Sequence, residues 1–138
     1  MKLLDQTRLP AEETWLECRE PQSVADAIYR LSVRGAPAIG VSAAYGLVLG
    51  IQGARDEELD ARFEATAELL GGTRPTAVNL RWAIERGREV FRATRDQGAQ
   101  ATVDAMTSWA QGVQARDVET NRRLGDNGVA LFKASDRV

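Results

Sequence analysis

The sequence predicts a mainly α protein with a small β element at its amino end, an α+β fold. Apolar residues recur at helical spacing from Ser23 almost to the end of the chain, whereas alternation typical of a strand occurs only near the start. The chain has 138 residues, 43% hydrophobic and 28% charged, which is typical of one soluble globular domain. We therefore expect short strands in residues 1–20 and a helical bundle in residues 21–138.

The amino end predicts a small hairpin or edge sheet. Lys2–Leu9 is short and mixed, and Pro10 interrupts it. Residues Thr14–Cys18 alternate in the manner of a short strand.

A first helix is predicted to begin at Ser23, which resembles an N-cap residue because Asp26 follows three positions later. It should end near Val33, before a glycine and a proline. Its apolar face should consist of four residues at helical spacing: Val24, Ala27, Ile28 and Leu31.

A second helix should begin at Pro37, since proline suits a first helical position. From Gly35 to Ala54 the chain has no charge, but the segment is too rich in glycine and too poor in large aliphatic residues for stable membrane insertion. It predicts a buried, central helix. Gly46 and Gly50 lie four apart and would let a neighbouring element approach closely.

Three amphipathic helices should follow. The first covers Asp56–Leu70 and ends at Gly71, the second runs from about Ala77 to Thr94, and the third begins near Ala99 and breaks at Gly125 and Gly128. Their predicted apolar stripes are Leu59, Phe63 and Leu70; Leu80, Ile84 and Phe91; and Val103, Met106, Ala110 and Val113.

Composition excludes several classes of function. The net charge is −2 with no basic block, so we expect no nucleic-acid or membrane partner. The absence of histidine removes imidazole chemistry, and one cysteine gives neither a disulfide nor a thiol zinc site. We predict no metal and no cofactor, since no ligand cluster or nucleotide motif occurs. A cytoplasmic location fits the single cysteine.

The sharpest local feature is Arg34-Gly35-Ala36-Pro37, in which one helix ends, a glycine follows and a proline starts the next helix. The free N–H groups of a helix start, a glycine that permits close approach and a guanidinium fork could together bind a phosphate. The alternative is a tight turn between helices with a solvated arginine.

Arg74, in a loop stiffened by Pro75, is the second candidate, a guanidinium fixed between two helices. The alternative is a surface arginine before a helix whose N-cap is Thr76. Two weaker candidates remain. Cys18 is better interpreted as a buried small residue than as a nucleophile, and Asp5 as a turn or ion-pair residue than as a general base.

Three segments, in order, resemble the methylthioribose-1-phosphate isomerases: Leu4–Pro10, then Val33–Gly40 with Ala43–Gly46 following, then Thr73–Leu80. The resemblance covers nearly the whole chain. It implies that Arg34, Gly35, Ala36 and Arg74 bind the phosphate of a sugar phosphate. It also implies an amino-terminal domain followed by a Rossmann-like catalytic domain, with the active site between the two.

The same resemblance implies that the acid–base pair of the isomerase, a cysteine and an aspartate, belongs to the second domain. We therefore expect no catalytic residue in this chain, and no turnover by it alone. The segment 132–138 should begin the crossing to that missing domain or to a partner chain. The full-length form is expected to be a homodimer in methionine salvage.

Two alternatives remain open. One is a non-catalytic regulatory or binding module like the exchange-factor subunits of translation initiation, which belong to the same larger group. The other is an isomerase of a different ribose or deoxyribose phosphate, because the motifs do not read the substituent at the 5-position.

Overall fold

The computed structural model describes residues 1–133, and its architecture in that range is the mainly α fold with a small sheet that the sequence predicts. The strands are β1 (Lys2–Leu4) and β2 (Trp15–Glu17). They pair antiparallel, with Leu3 opposite Leu16. The predicted hairpin is confirmed, with shorter strands. Of the predicted crossing at 132–138, residues 134–138 lie outside the described residues.

Five α-helices follow the sheet. They are α1 (Pro21–Tyr29), α2 (Ala36–Ile51), α3 (Leu59–Thr73), α4 (Val78–Thr94) and α5 (Ala99–Val129). One 3₁₀ turn, Asp56–Glu58, leads into α3, and another, Arg95–Gln97, connects α4 to α5.

Helix α2 is the centre of the bundle and packs against each of the other four helices. Its small, apolar residues allow this, because a thin helix can be contacted on several sides. A Cβ on Gly46 would lie 3.0 Å from the Leu70 side chain of α3. The close approach predicted at the α2 glycines is therefore confirmed, and α3 is the neighbour.

The apolar stripes of α3 and α4 lie in the core as predicted. Phe63 and Phe91 stack with ring centroids 4.2 Å apart and an interplanar angle of 17°. On α5, Met106, Ala110 and Val113 are buried and Val103 is partly buried.

The predicted bounds of the first helix are wrong at both ends. The helix begins at Pro21, where proline is favoured, and the Ser23 hydroxyl donates back to the Glu20 carbonyl (2.7 Å) instead of capping. It ends at Tyr29 because the chain turns at Leu31, which has a φ of 63° and is exposed rather than buried.

The glycine breaks predicted in α3 and α5 are also wrong. Helix α3 continues through Gly71 and ends at Thr73, and α5 continues through Gly125 and Gly128 to Val129. A glycine inside a helix costs only about 1 kcal/mol, so it does not end a helix by itself. The residue that ends α3 is Pro75, which disfavours helical geometry at Arg74.

Two kinds of feature are absent from residues 1–133. No helix there is both long and apolar enough to cross a membrane. No group of three or more Cys, Asp or Glu side chains is arranged to hold a metal ion in that part of the chain.

Candidate anion site at two helix ends

A cavity of about 280 Å³ lies where α2 and α4 both begin. We call it the helix-end cavity. Its lining comes from the first turns of the two helices and from the loop before α4. The lining residues are Gly35, Ala36, Ile39, Arg74, Ala77, Val78 and Asn79.

The first turn of α2 faces this cavity with uncapped backbone. Gly35, the residue before the helix, has φ 92° and ψ 128°, a conformation that favours glycine. No side chain caps the helix start, and no acidic residue lies in its first turn. The N–H groups of Ala36 and Ala38 therefore have no partner within the helix, while Pro37 has no N–H to satisfy.

The first turn of α4 is uncapped in the same way. Pro75 keeps Arg74 in an extended conformation, with φ −148° and ψ 81°, and the Ala77 N–H donates to the Arg74 carbonyl (3.0 Å). Ala77, not Thr76, precedes the helix, and it has no side-chain acceptor. The reading in which Thr76 caps α4 is therefore wrong.

The electrostatics of the helix-end cavity favour an anion. Two helix amino termini carry partial positive charge, and no carboxylate is among the described lining residues of the helix-end cavity. Arg74 adds a full positive charge at the border with a second depression, which it lines together with Glu85 and Arg88. Within residues 1–133 the Arg74 guanidinium has no hydrogen-bond or ion-pair partner. Its loop is tied down by Arg81, whose Nη2 donates to the Pro75 carbonyl (3.3 Å).

The structure brings together three of the four residues that the sequence singled out. Gly35, Ala36 and Arg74 share the helix-end cavity. Arg34 is exposed. It precedes Gly35 in the chain and is not among the residues that line the cavity. Its carbonyl accepts a hydrogen bond from the Gln6 side chain (3.4 Å), which ties the connection between α1 and α2 to the amino-terminal segment.

Sequence reasoning missed Ala77, Val78 and Asn79 as members of this site. A signal for them existed, because a helix was predicted to start at about Ala77 and every uncapped helix start offers free N–H groups. Only the packing of α4 against α2 shows that the two starts point into the same cavity.

The two weaker candidates have structural roles. Cys18 is 1% exposed and its thiol is not in a disulfide, as expected of a buried small residue. Asp5 makes a turn, in which its Oδ1 accepts from the hydroxyl (2.6 Å) and the N–H (3.1 Å) of Thr7. The Thr7 hydroxyl is the main reason that the pKa of Asp5 lies below its ordinary value, which does not suit a general base.

Comparisons with known proteins point to one family. The sequence model of the initiation factor 2 subunit family matches residues 32–138. The methylthioribose-1-phosphate isomerase of Pelotomaculum thermopropionicum is 43% identical over 141 residues, which cover 100% of this chain and 39% of that protein. The enzyme of the same name from Desulforamulus reducens is 43% identical, with 100% and 41% covered. The chain thus spans about two-fifths of these relatives.

Two solved structures are similar in fold. The translation initiation factor eIF-2B subunit delta from A. fulgidus has a TM-score of 0.88 and 38% identity, covering 98% of this chain and 40% of that one. The 5-methylthioribose 1-phosphate isomerase from Pyrococcus horikoshii has a TM-score of 0.89 and 34% identity, covering 95% and 38%.

Proposed function

The chain belongs to the initiation factor 2 subunit family, and on that basis we propose that it is the phosphate-binding part of a methylthioribose-1-phosphate isomerase. Such an enzyme converts an aldose 1-phosphate to the corresponding ketose 1-phosphate. One observation carries the proposal: Gly35, Ala36 and Arg74, which the resemblance assigns to phosphate binding, line one cavity.

Each group has a physical part in binding. The N–H groups at the start of α2 donate to phosphate oxygens, and Gly35 keeps side-chain atoms out of their way. The Arg74 guanidinium donates two parallel hydrogen bonds and neutralises charge. The start of α4 adds a second set of N–H donors. Arg34, exposed beside the cavity, covers the ligand from the solvent side.

Binding of this kind fixes the position of a sugar phosphate and does not move its protons. Isomerisation needs an acid and a base within hydrogen-bond reach of the sugar carbons. The chain has no histidine, its cysteine is buried, and no carboxylate lines the helix-end cavity within residues 1–133. We therefore propose that the 138-residue chain binds phosphate without turnover.

The acid–base pair is proposed to come from the second domain that the resemblance implies, or from a partner chain. A homodimer of the full-length form, a place in methionine salvage and a cytoplasmic location belong to the same proposal. The similarity to relatives named as isomerases over this whole chain supports the isomerase assignment.

Titration with inorganic phosphate, followed by ¹⁵N NMR, tests the site. Resonances of Gly35, Ala36, Ala38, Val78 and Asn79 should shift, and Arg74→Ala should weaken binding by roughly tenfold or more, since a charge-assisted hydrogen bond contributes about 1.5–3 kcal/mol.

Arg86→Ala is the matched control. Arg86 lies on the exposed face of α4, where its ion pair is with Glu89, so its loss should leave phosphate binding unchanged. Equal effects of Arg74→Ala and Arg86→Ala, or shifts spread evenly over basic residues, would show non-specific attraction and would end the proposal.

A regulatory module is the second candidate, and the similarity to the eIF-2B subunit delta structure favours it. The two readings differ in the ligand they require. An isomerase part should bind methylthioribose 1-phosphate more tightly than inorganic phosphate, whereas a module without a substrate should show no preference between them.

A further inference from the structure

Gly40 lies where α2 meets the start of α4. It is buried one turn after Ala36, the first residue of α2, and it packs against Asn79, the second residue of α4. A Cβ atom on Gly40 would lie 3.1 Å from the Asn79 carbonyl oxygen and 3.7 Å from the Asn79 carbonyl carbon. These are backbone atoms, which cannot rotate aside as the end of a side chain can. The distance between the two helices at this point therefore depends on the absence of a side chain at residue 40.

Backbone conformation does not explain this glycine. Gly40 lies inside a helix and is not one of the glycines with a positive φ, so other residues could adopt its backbone geometry. A glycine inside a helix is also less favourable than an alanine. The other two glycines of α2, Gly46 and Gly50, would place a Cβ against side chains, whereas Gly40 would place it against a carbonyl group of α4. The space that Gly40 leaves is thus taken by the start of α4.

The contact lies within one turn of the free N–H groups at both helix starts. The first helical hydrogen bonds are donated by the Ile39 N–H in α2 and by the Arg81 N–H in α4, each at 3.1 Å from its acceptor. The N–H groups before them have no acceptor within their helices. Asn79, which packs against Gly40, also lines the helix-end cavity. A change of spacing at Gly40 is therefore a change of spacing between the two sets of donors.

We propose that Gly40 is a positioning residue of the anion site, which holds the start of α4 close enough to the start of α2 for one phosphate to accept hydrogen bonds from both. This inference rests on the proposed function and adds to it the requirement that both helix starts bind the same anion. A phosphate can meet that requirement because its oxygens point in several directions. Strong N–H···O bonds are confined to donor–acceptor distances of about 2.7–3.2 Å, so a displacement of a few tenths of an ångström weakens them.

Gly40→Ala tests the spacing with the smallest side chain. The 3.1 Å contact is shorter than an ordinary van der Waals contact, so the start of α4 must move by a few tenths of an ångström. Phosphate affinity should fall roughly three- to tenfold, because the donors of one helix start no longer reach the oxygens at full strength. In ¹⁵N NMR spectra of the 138-residue chain at saturating phosphate, the shifts of Val78 and Asn79 should shrink while those of Ala36 and Ala38 remain.

Gly46→Ala is the matched control. It makes the same change in the same helix, but the new Cβ would lie 3.0 Å from the Leu70 side chain of α3 and not against α4. This variant should keep the phosphate affinity and the pattern of shifts at both helix starts. Urea denaturation of the two variants shows that both are folded under the conditions of the titration and separates a loss of stability from a change of spacing.

The wild-type chain provides a second test that needs no substitution. Phosphate-induced shifts at Ala36 and at Val78 should follow one binding curve with one Kd, because one anion contacts both helix starts. Nuclear Overhauser contacts between the Gly40 α protons and Asn79 should be present with and without phosphate.

The outcomes separate the two proposals. An affinity that is unchanged in Gly40→Ala, or lowered equally in Gly46→Ala, overturns the role of Gly40 and leaves the proposed function standing. Two separate binding curves for the two helix starts would mean two anions and would overturn it in the same way. An absence of phosphate shifts at Gly35 and Val78 in the wild type overturns the proposed function, and the inference about Gly40 with it.

Discussion

A Cβ atom on Gly50 of α2 would lie 2.1 Å from the Oγ1 of Thr66 on α3. Thr66 is buried, and its hydroxyl donates to the Arg62 carbonyl (2.7 Å), so its side chain cannot turn aside without losing that bond. The Arg62 Nε also donates to the Gly50 carbonyl (2.9 Å). Helices α2 and α3 are therefore in close contact at this point because residue 50 has no side chain.

We expect Gly50→Ala to destabilise the fold by about 2–3 kcal/mol, because the methyl group must push α3 away or distort Thr66. Urea denaturation measures the loss. Gly112→Ala is the control, since a Cβ there meets no atom within 4 Å and should stabilise α5 by up to about 1 kcal/mol. Equal stability of the two variants would contradict this account of the α2–α3 contact.

The sequence was sufficient for features that depend on local periodicity. The buried stripe of α3 and the buried face of α5 follow from apolar spacing, and so does the central position of α2. Helix ends were less predictable. Capping at Ser23 failed because its hydroxyl bonds the Glu20 carbonyl, a choice between two local geometries that a sequence pattern does not resolve.

The candidate site was predictable in its parts and not in its assembly. Gly35 and Arg74 could be identified as candidates because glycine, proline and arginine at a helix junction have few structural roles. Whether they share a ligand depends on how α4 crosses α2, which is a property of packing. For the same reason the position of Arg34 outside the cavity lining could not be read from its place in the motif.

Gly35→Ala should lower both stability and phosphate affinity. Its φ of 92° is strained for any residue with a Cβ, so we expect a loss of about 1–3 kcal/mol although the added atom would meet nothing within 4 Å. The strain should also shift the first N–H groups of α2 away from the phosphate.

Gly53→Ala separates these two effects. Gly53 also has a positive φ, 69°, and open space around it, but it follows the other end of α2. Thermal denaturation should show a loss in both variants, and phosphate titration should show weaker binding in Gly35→Ala alone. Weakened binding in both would mean that affinity follows global stability.

Arg34→Ala should weaken phosphate binding less than Arg74→Ala does. Arg74 lines the helix-end cavity. Arg34 is exposed and does not line the cavity, so water and salt screen its charge. Isothermal titration at low and high salt measures the difference, and the Arg34 contribution should be the one that salt removes. A larger effect of Arg34→Ala would place the guanidinium of Arg34, not that of Arg74, on the ligand.

Glu58 should make the stability of the chain depend on pH in acid. Hydrogen bonds from the Arg55 guanidinium (2.6 Å) and then from the Arg55 N–H (3.1 Å) lower the pKa of Glu58 from 4.5 to about 2. A carboxyl group with a lowered pKa stabilises the fold above pH 4.5 and loses that effect as the pH falls towards 2.

Urea denaturation of the wild type and of Glu58→Gln at several pH values measures this effect. The wild type should be the more stable at neutral pH, and the gap should close between pH 4.5 and 2. In an Arg55→Gln background the gap should be smaller but not absent, because the guanidinium bond is lost while the backbone N–H of residue 55 can still donate to the Glu58 carboxylate. A gap that persists below pH 2 would have another cause.

Val78→Asp should change stability and phosphate binding in opposite directions. Val78 is the first residue of α4, lines the helix-end cavity and is 77% exposed, so its replacement removes little buried surface. A carboxylate in the first turn should stabilise the helix by about 0.3–1 kcal/mol through its dipole. The same carboxylate would occupy the anion site or repel the phosphate, so phosphate binding should fall below detection.

Val78→Asn is the control. Asparagine has nearly the same shape as aspartate and no charge, so this variant should keep most of the binding. Loss of binding in both variants would point to shape rather than charge, and unchanged binding in Val78→Asp would place the phosphate away from the start of α4.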